Sequence, residues 1–189
     1  IMETPLRVGI LGTGRAGQCH ATAYSRLQKV KISGLWNRTR AHAEQLAASL
    51  NQADLKIYNT WHDLIQHGKL DVISITTNPI IRREPFLEAL ARHQHVLVEK
   101  PLSLCLSEAH EMSTLAKQTE VVTAISFNWR YSPACQTMWR ALQKQHIDQL
   151  LNTRCDWRLR NSSLRSWNYS RRTRATNNNL WRVRYTHLK

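Results

Sequence analysis

The sequence predicts an α/β fold: a doubly wound parallel sheet, followed by the first elements of an incomplete second α/β domain. Three observations carry this. Short apolar runs alternate with helical patterns of roughly ten to fifteen residues, the rhythm of βαβ units rather than of hairpins. The first apolar run passes directly into a glycine-rich turn and then a helix. The alternation stops near Phe127, where the character of the chain changes.

Taken in order, strand Leu6–Leu11 leads into a helix from about Gly14 to Leu27, with Ala16, Ala21, Ala23 and Leu27 on its small or apolar side. Strand Val30–Trp36 is followed by Thr39, placed to cap a helix Arg40–Ala53. A short strand Lys56–Tyr58 precedes Thr60-Trp61-His62-Asp63, a capping-box-like start for a helix reaching His67. Asp71–Thr76 (DVISIT) is the kind of apolar run found in the middle of a parallel sheet. Helix Glu84–His93 and strand His95–Val98 form the next unit, and helix Ser107–Thr119 with strand Val121–Phe127 the last. Beyond lie a loop (Asn128–Pro133), an amphipathic helix Ala134–His146 and a strand Leu150–Leu159. Residues 161–189 show neither helical nor strand period. The expected division is therefore 1–125, 126–160 and an irregular basic tail, 161–189.

Composition narrows the function classes. With 42% hydrophobic residues the chain can bury a core, and no apolar run approaches the roughly 18–20 residues of a membrane span. Cys19, Cys105, Cys135 and Cys155 are scattered, so reduced thiols in a cytoplasmic protein are expected rather than a disulfide framework or a metal site. The formal charge of +14 is unevenly spread: residues 1–150 hold 17 Lys and Arg against 12 Asp and Glu, while 151–189 hold 10 against 1. The excess belongs mostly to the tail and gives no reason to expect nucleic acid on the first domain.

The turn Gly12-Thr13-Gly14-Arg15-Ala16-Gly17 has G-x-G-x-x-G spacing, which points to a bound dinucleotide. Gly12 permits the tight turn, Gly14 admits a pyrophosphate to the backbone, and Gly17 lets the helix pack closely. The helix N-terminus then faces the phosphates. At the end of the second strand an acidic residue would receive a ribose 2′-hydroxyl. This chain has Asn37-Arg38-Thr39-Arg40 instead, which suits a 2′-phosphate and favours NADP over NAD. Thr76, Thr77, Asn78 and Pro79 leave a central strand on the rim where open α/β sheets bind ligands. Glu99, Lys100 and Pro101 leave the next strand on the same rim, as cleft residues or as a rim salt bridge.

GTGRAG followed by His20, then DVISIT, HVLVEKPLS and FNWRYSP, in that order, resemble the glucose–fructose oxidoreductase, inositol dehydrogenase and MocA (Gfo/Idh/MocA) family over roughly residues 5–160. The resemblance implies a Rossmann domain, then an α/β domain with a large antiparallel sheet. It also implies hydride transfer between NADP (or NAD) and a carbinol of a sugar, cyclitol or related polyol. Lys100 would stand beside nicotinamide and substrate as the catalytic residue, with Glu99 and Pro101 shaping its turn, the latter through an unusual peptide geometry. Asn128 and Arg130 match the loop at the domain junction that faces cofactor and substrate.

Two departures stand out. In the family's register, Thr77-Asn78-Pro79 replaces Thr-Pro-Asn, and Arg82 takes the place of a His. Nothing after Asp156 matches the family's glycine-rich stretch with its Asp and, four residues on, its His, so this chain is expected to bind cofactor without turnover. Homo-oligomers, usual in the family through its second domain, are not expected here. The tail offers Arg and aromatic residues such as Arg165, Trp167, Tyr169, Trp181 and Arg182 in the manner of a nucleic-acid arm. The favoured reading is a truncated or frame-shifted end that is not native family sequence, and Ile1 ahead of Met2 agrees with a fragment or an unusual start.

Overall fold

The computed structural model describes residues 4–52, 54–143, 153–158 and 180–185. It forms two compact units, Ile1–Asn128 and Trp129–Lys189. The first contains β1 (Leu6–Leu11), α1 (Arg15–Tyr24), β2 (Val30–Trp36), α2 (Arg40–Leu50), β3 (Lys56–Ile57), α3 (Trp61–His67), β4 (Val72–Ile75), α4 (Arg83–Ala91), β5 (His95–Val98), α5 (Leu106–Lys117) and β6 (Thr123–Ile125). All six strands are parallel, in the order β3-β2-β1-β4-β5-β6. The chain winds outward one way from β1 and, after crossing over, the other way from β4, which leaves a crevice between these two strands at their carboxyl ends.

Strand alternation sends side chains to opposite faces and so builds two cores. Val8, Ile10, Ile32 and Leu35 meet Ala21 of α1 and Ala43 and Leu46 of α2. Leu11, Trp36, Ile73, Ile75, Val96 and Val98 meet Leu64, Ile65, Phe86, Leu90 and Met112 from α3, α4 and α5. Both faces of β1 and β4 are covered, which is why these strands read as continuous apolar runs.

The element boundaries differ from expectation where local hydrogen bonds intervene. α1 stops at Tyr24 because Arg26 and Leu27 turn back to the carbonyls of Ala23 and Tyr24, tightening the last turn. α2 stops at Leu50 because Asn51 adopts the left-handed conformation (φ 48°) that ends many helices. Thr39 stands at the N-cap of α2, yet its hydroxyl makes no capping bond; its carbonyl accepts Asn37 Nδ2 and the His42 N–H instead. Thr60 does cap α3, its Oγ1 accepting from the Asp63 N–H at 2.9 Å.

The second unit holds α6 (Pro133–Gln143) and an antiparallel pair, β7 (Thr153–Arg158) and β8 (Leu180–Tyr185), registered from Thr153↔Tyr185 to Arg158↔Leu180. β8 falls in the stretch expected to be irregular and corrects that expectation for these six residues. A strand this short spans only three alternations, too few for its period to stand out in a window that also holds RRTRATNNN. The rest of 161–179 lies outside the described residues, as does the end of the helix expected to reach His146. No helix among the described residues is long and apolar enough to cross a membrane.

Candidate dinucleotide site

The end of β1 is fully buried between β2 and β4, so the turn that follows it opens at the crevice. Gly12 has φ +94°, a conformation that favours glycine, and its N–H bonds to the Trp36 carbonyl at 2.8 Å. A Cβ on Gly17 would lie 2.0 Å from the Gly12 oxygen, so only glycine lets α1 seat against the turn. Gly14 is different. Its backbone (φ −69°, ψ −167°) suits any residue, and a Cβ there would meet nothing within 4 Å. The fold has no internal need of glycine at 14; the open flank beside it is a cradle that a side chain would begin to fill. This cradle sits at the N-terminus of α1, which has no capping side chain and no acidic residue in its first turn, an arrangement that favours an anion.

Asn37 braces this turn. Its Oδ1 accepts the Thr13 N–H at 3.0 Å and its Nδ2 donates to the Thr39 carbonyl at 2.9 Å. The two arginines expected at a 2′-phosphate divide. Arg40 is held by Glu44 and, at 2.7 Å, by Asn59 Oδ1, whereas Arg38 is exposed. The Thr13 and Thr77 hydroxyls are buried and find no partner among the described residues. A cradle free of side chains, a helix N-terminus and orphaned hydroxyls along the crevice fit a dinucleotide with its pyrophosphate at Gly14.

On the rim after β4, Thr76 donates its hydroxyl to the carbonyls of Leu11 (3.0 Å) and Gly12 (2.6 Å), tying this strand end to the glycine turn. Asn78 Oδ1 accepts the Ile80 N–H at 3.1 Å and opens a 3-10 turn, Pro79–Ile81. Thr76 and Asn78, expected as cofactor contacts, thus also hold the rim in shape.

After β5 the Lys100–Pro101 peptide is cis. Lys100 is exposed, and the Glu99 carboxylate takes the Lys100 N–H at 3.0 Å while its other oxygen lies 3.4 Å from His20 Nε2. His20, on α1, hydrogen-bonds Ser74 Oγ at 2.8 Å through Nδ1, and Ser126 Oγ lies 3.5 Å from Nε2. Burial lowers the His20 pKa from its ordinary 6.5, against the pull of Glu99. His20 therefore links α1, β4 and the E-K-P turn, a role the sequence pattern marks only by its spacing from the glycines.

Arg82 is the residue that reading by type missed. Only 4% exposed, it donates from Nε and Nη2 to the Thr77 carbonyl (2.9 and 2.6 Å) and from Nη1 to the carbonyls of Glu99 and Pro101. Its sole signal in the sequence was a departure from the family's His. Asn128 is exposed at the end of the first unit; Arg130, in the second, is exposed and its carbonyl accepts Gln136 Nε2 at 2.8 Å.

A family described as "Oxidoreductase family, NAD-binding Rossmann fold" (GFO_IDH_MocA) matches residues 6–127. An uncharacterized oxidoreductase of Synechocystis sp. is 30% identical over 166 residues, 87% of this chain and 44% of the relative. Glucose-6-phosphate 3-dehydrogenase of Bacillus subtilis is 25% identical over 178 residues, 92% and 49% respectively. The chain thus spans less than half the length of these relatives. Scyllo-inositol dehydrogenase of Lactobacillus casei, solved with NAD(H) and scyllo-inositol, shares the fold at a TM-score of 0.73 and 20% identity, covering 78% of this chain and 44% of that one. With its glycine turn, its strand order and that match extending over most of its length, the chain belongs to the Gfo/Idh/MocA oxidoreductase family and carries its NAD-binding Rossmann fold.

Proposed function

We propose that this chain holds the cofactor half of an oxidoreductase that moves a hydride between a nicotinamide and a carbinol of a sugar or cyclitol, with NADP preferred over NAD. The observation that carries the reading is Gly14, a glycine whose only use is the open flank at the N-terminus of α1. The relatives named for a sugar phosphate and for an inositol support the substrate class.

When bound, the nicotinamide supplies the hydride acceptor or donor. The chain's own residues do the rest. Gly12, Thr13, Gly14, Arg15, Ala16 and Gly17 hold the pyrophosphate through the main chain. Asn37, Arg38, Thr39 and Arg40 face the adenosine ribose, with Arg38 supplying the charge for a 2′-phosphate. Thr76, Thr77, Asn78, Pro79, Glu99 and Pro101 form the rim for the second nucleotide. Lys100 holds the carbinol oxygen at Nζ and assists its proton.

Titration with NADPH and NADH, read by nucleotide fluorescence, tests this. Saturable binding of both, tighter for NADPH, is expected. Absence of binding to either overturns the reading.

A further inference from the structure

We infer that Arg82 is a positioning residue for the nicotinamide end of the site: its guanidinium joins the turn after β4 to the turn after β5 and thereby fixes where Lys100 stands. The inference rests on the oxidoreductase reading above and deepens it.

The placement of Arg82 is unfavourable on two counts. It lies at the junction of the Pro79–Ile81 turn and α4, where a cation opposes the helix dipole. It is also buried, its guanidinium bonded to main-chain carbonyls rather than to a carboxylate, so its desolvation is offset only by those carbonyls. What that position provides is reach. Thr77 belongs to the rim of β4, and Glu99 and Pro101 flank Lys100 on the rim of β5. Strands β4 and β5 are paired through Ile75↔Val98, and the Glu99 N–H reaches back to the Ile75 carbonyl at 2.8 Å, but no ladder pair continues into the two turns themselves. The planar fork of Arg, with its donors set at fixed angles, spans all three carbonyls. An imidazole has two ring nitrogens and cannot.

The clamp belongs to one half of the sheet. In a doubly wound sheet each mononucleotide half takes one nucleotide of the cofactor. The glycine turn and Asn37 lie in the half built on β1–β3, whereas each main-chain carbonyl that Arg82 holds lies in the half built on β4–β6. Loss of the clamp should therefore weaken contacts to the nicotinamide end and spare the ADP end.

The test compares NADH with ADP-ribose, which lacks the nicotinamide, by calorimetry on the full chain. The unaltered protein should bind NADH more tightly than ADP-ribose. Arg82→Gln should weaken NADH about tenfold, to the level of ADP-ribose, while ADP-ribose itself changes less than about twofold. Arg82→Lys keeps the charge but not the fork and should lose NADH affinity in the same selective way. If Arg82→Gln fails to fold and loses both ligands, Arg82→Lys carries the test alone. Equal losses for both ligands in Arg82→Lys, full NADH affinity in that variant, or an unaltered protein that binds the two ligands equally, would each overturn the inference and leave the dinucleotide reading standing. An unaltered protein that binds neither ligand overturns both.

Discussion

The side chain of Asn37 accepts the main-chain N–H of Thr13 at 3.0 Å, joining the end of β2 to the glycine turn after β1. Thr13 is fully buried, so this N–H has no access to water in place of Asn37. Asn37→Ala should cost about 1–3 kcal/mol, a fall in Tm of several degrees for a chain of this size. Asn37→Asp keeps the acceptor and should cost less, while its carboxylate shifts preference from NADPH toward NADH. Thermal unfolding and paired nucleotide titrations measure the two effects. An Asn37→Ala protein as stable as the original would remove Asn37 from its bracing role.

The two later glycines of the motif should separate in their consequences. Gly14→Ser introduces a side chain into open space at an N-cap, so stability should hold or rise by a few tenths of a kcal/mol while NADH affinity falls at least about tenfold. Gly17→Ala places a Cβ against the Gly12 carbonyl and should lose about 1–3 kcal/mol of stability. Chemical denaturation beside a binding titration distinguishes them. Undiminished NADH binding by Gly14→Ser would mean that the cradle is not where the pyrophosphate rests.

His20 gives a pH dependence with a defined sign. Its pKa in the folded chain lies below the ordinary 6.5, so between those two values the unfolded chain binds more protons. The stability that depends on neutral His20 is thus complete above about pH 6.5 and declines as the pH falls toward the lowered folded value. Glu99 opposes the shift, and Ser74 and Ser126 supply neutral partners. His20→Gln should flatten the stability profile on the acid side of neutrality relative to the original. Profiles of equal slope would show that other groups set it.

Arg38 and Arg40 should not contribute equally to cofactor choice. Arg40 is already paired with Glu44 and Asn59, so Arg40→Ala should chiefly loosen the start of α2. Arg38→Ala should lower NADPH affinity about tenfold and leave NADH nearly unchanged. The ratio of the two dissociation constants is the measurement, and a ratio unmoved by Arg38→Ala would count against a 2′-phosphate at this position.

The parallel sheet, its strand positions and the glycine turn were legible in the sequence because each rests on local pattern. Continuous apolar runs follow from burial on both faces, Gly17 answers to the Gly12 carbonyl five residues before it, and Gly12 to its own positive φ. The family was legible through motifs lying on successive strand ends. Tertiary structure alone decided which polar side chains became partners. Asn37, expected at the ribose, also braces Thr13, and Arg82, a departure from the family pattern, holds the carbonyls of Thr77, Glu99 and Pro101. Asn37 depends on a group 24 residues away, and Arg82 on two that lie 17 and 19 residues away, brought together only when neighbouring strands align. A hydrogen bond requires approach to about 3 Å in a set direction, and no residue type or spacing along the chain fixes that across a sheet.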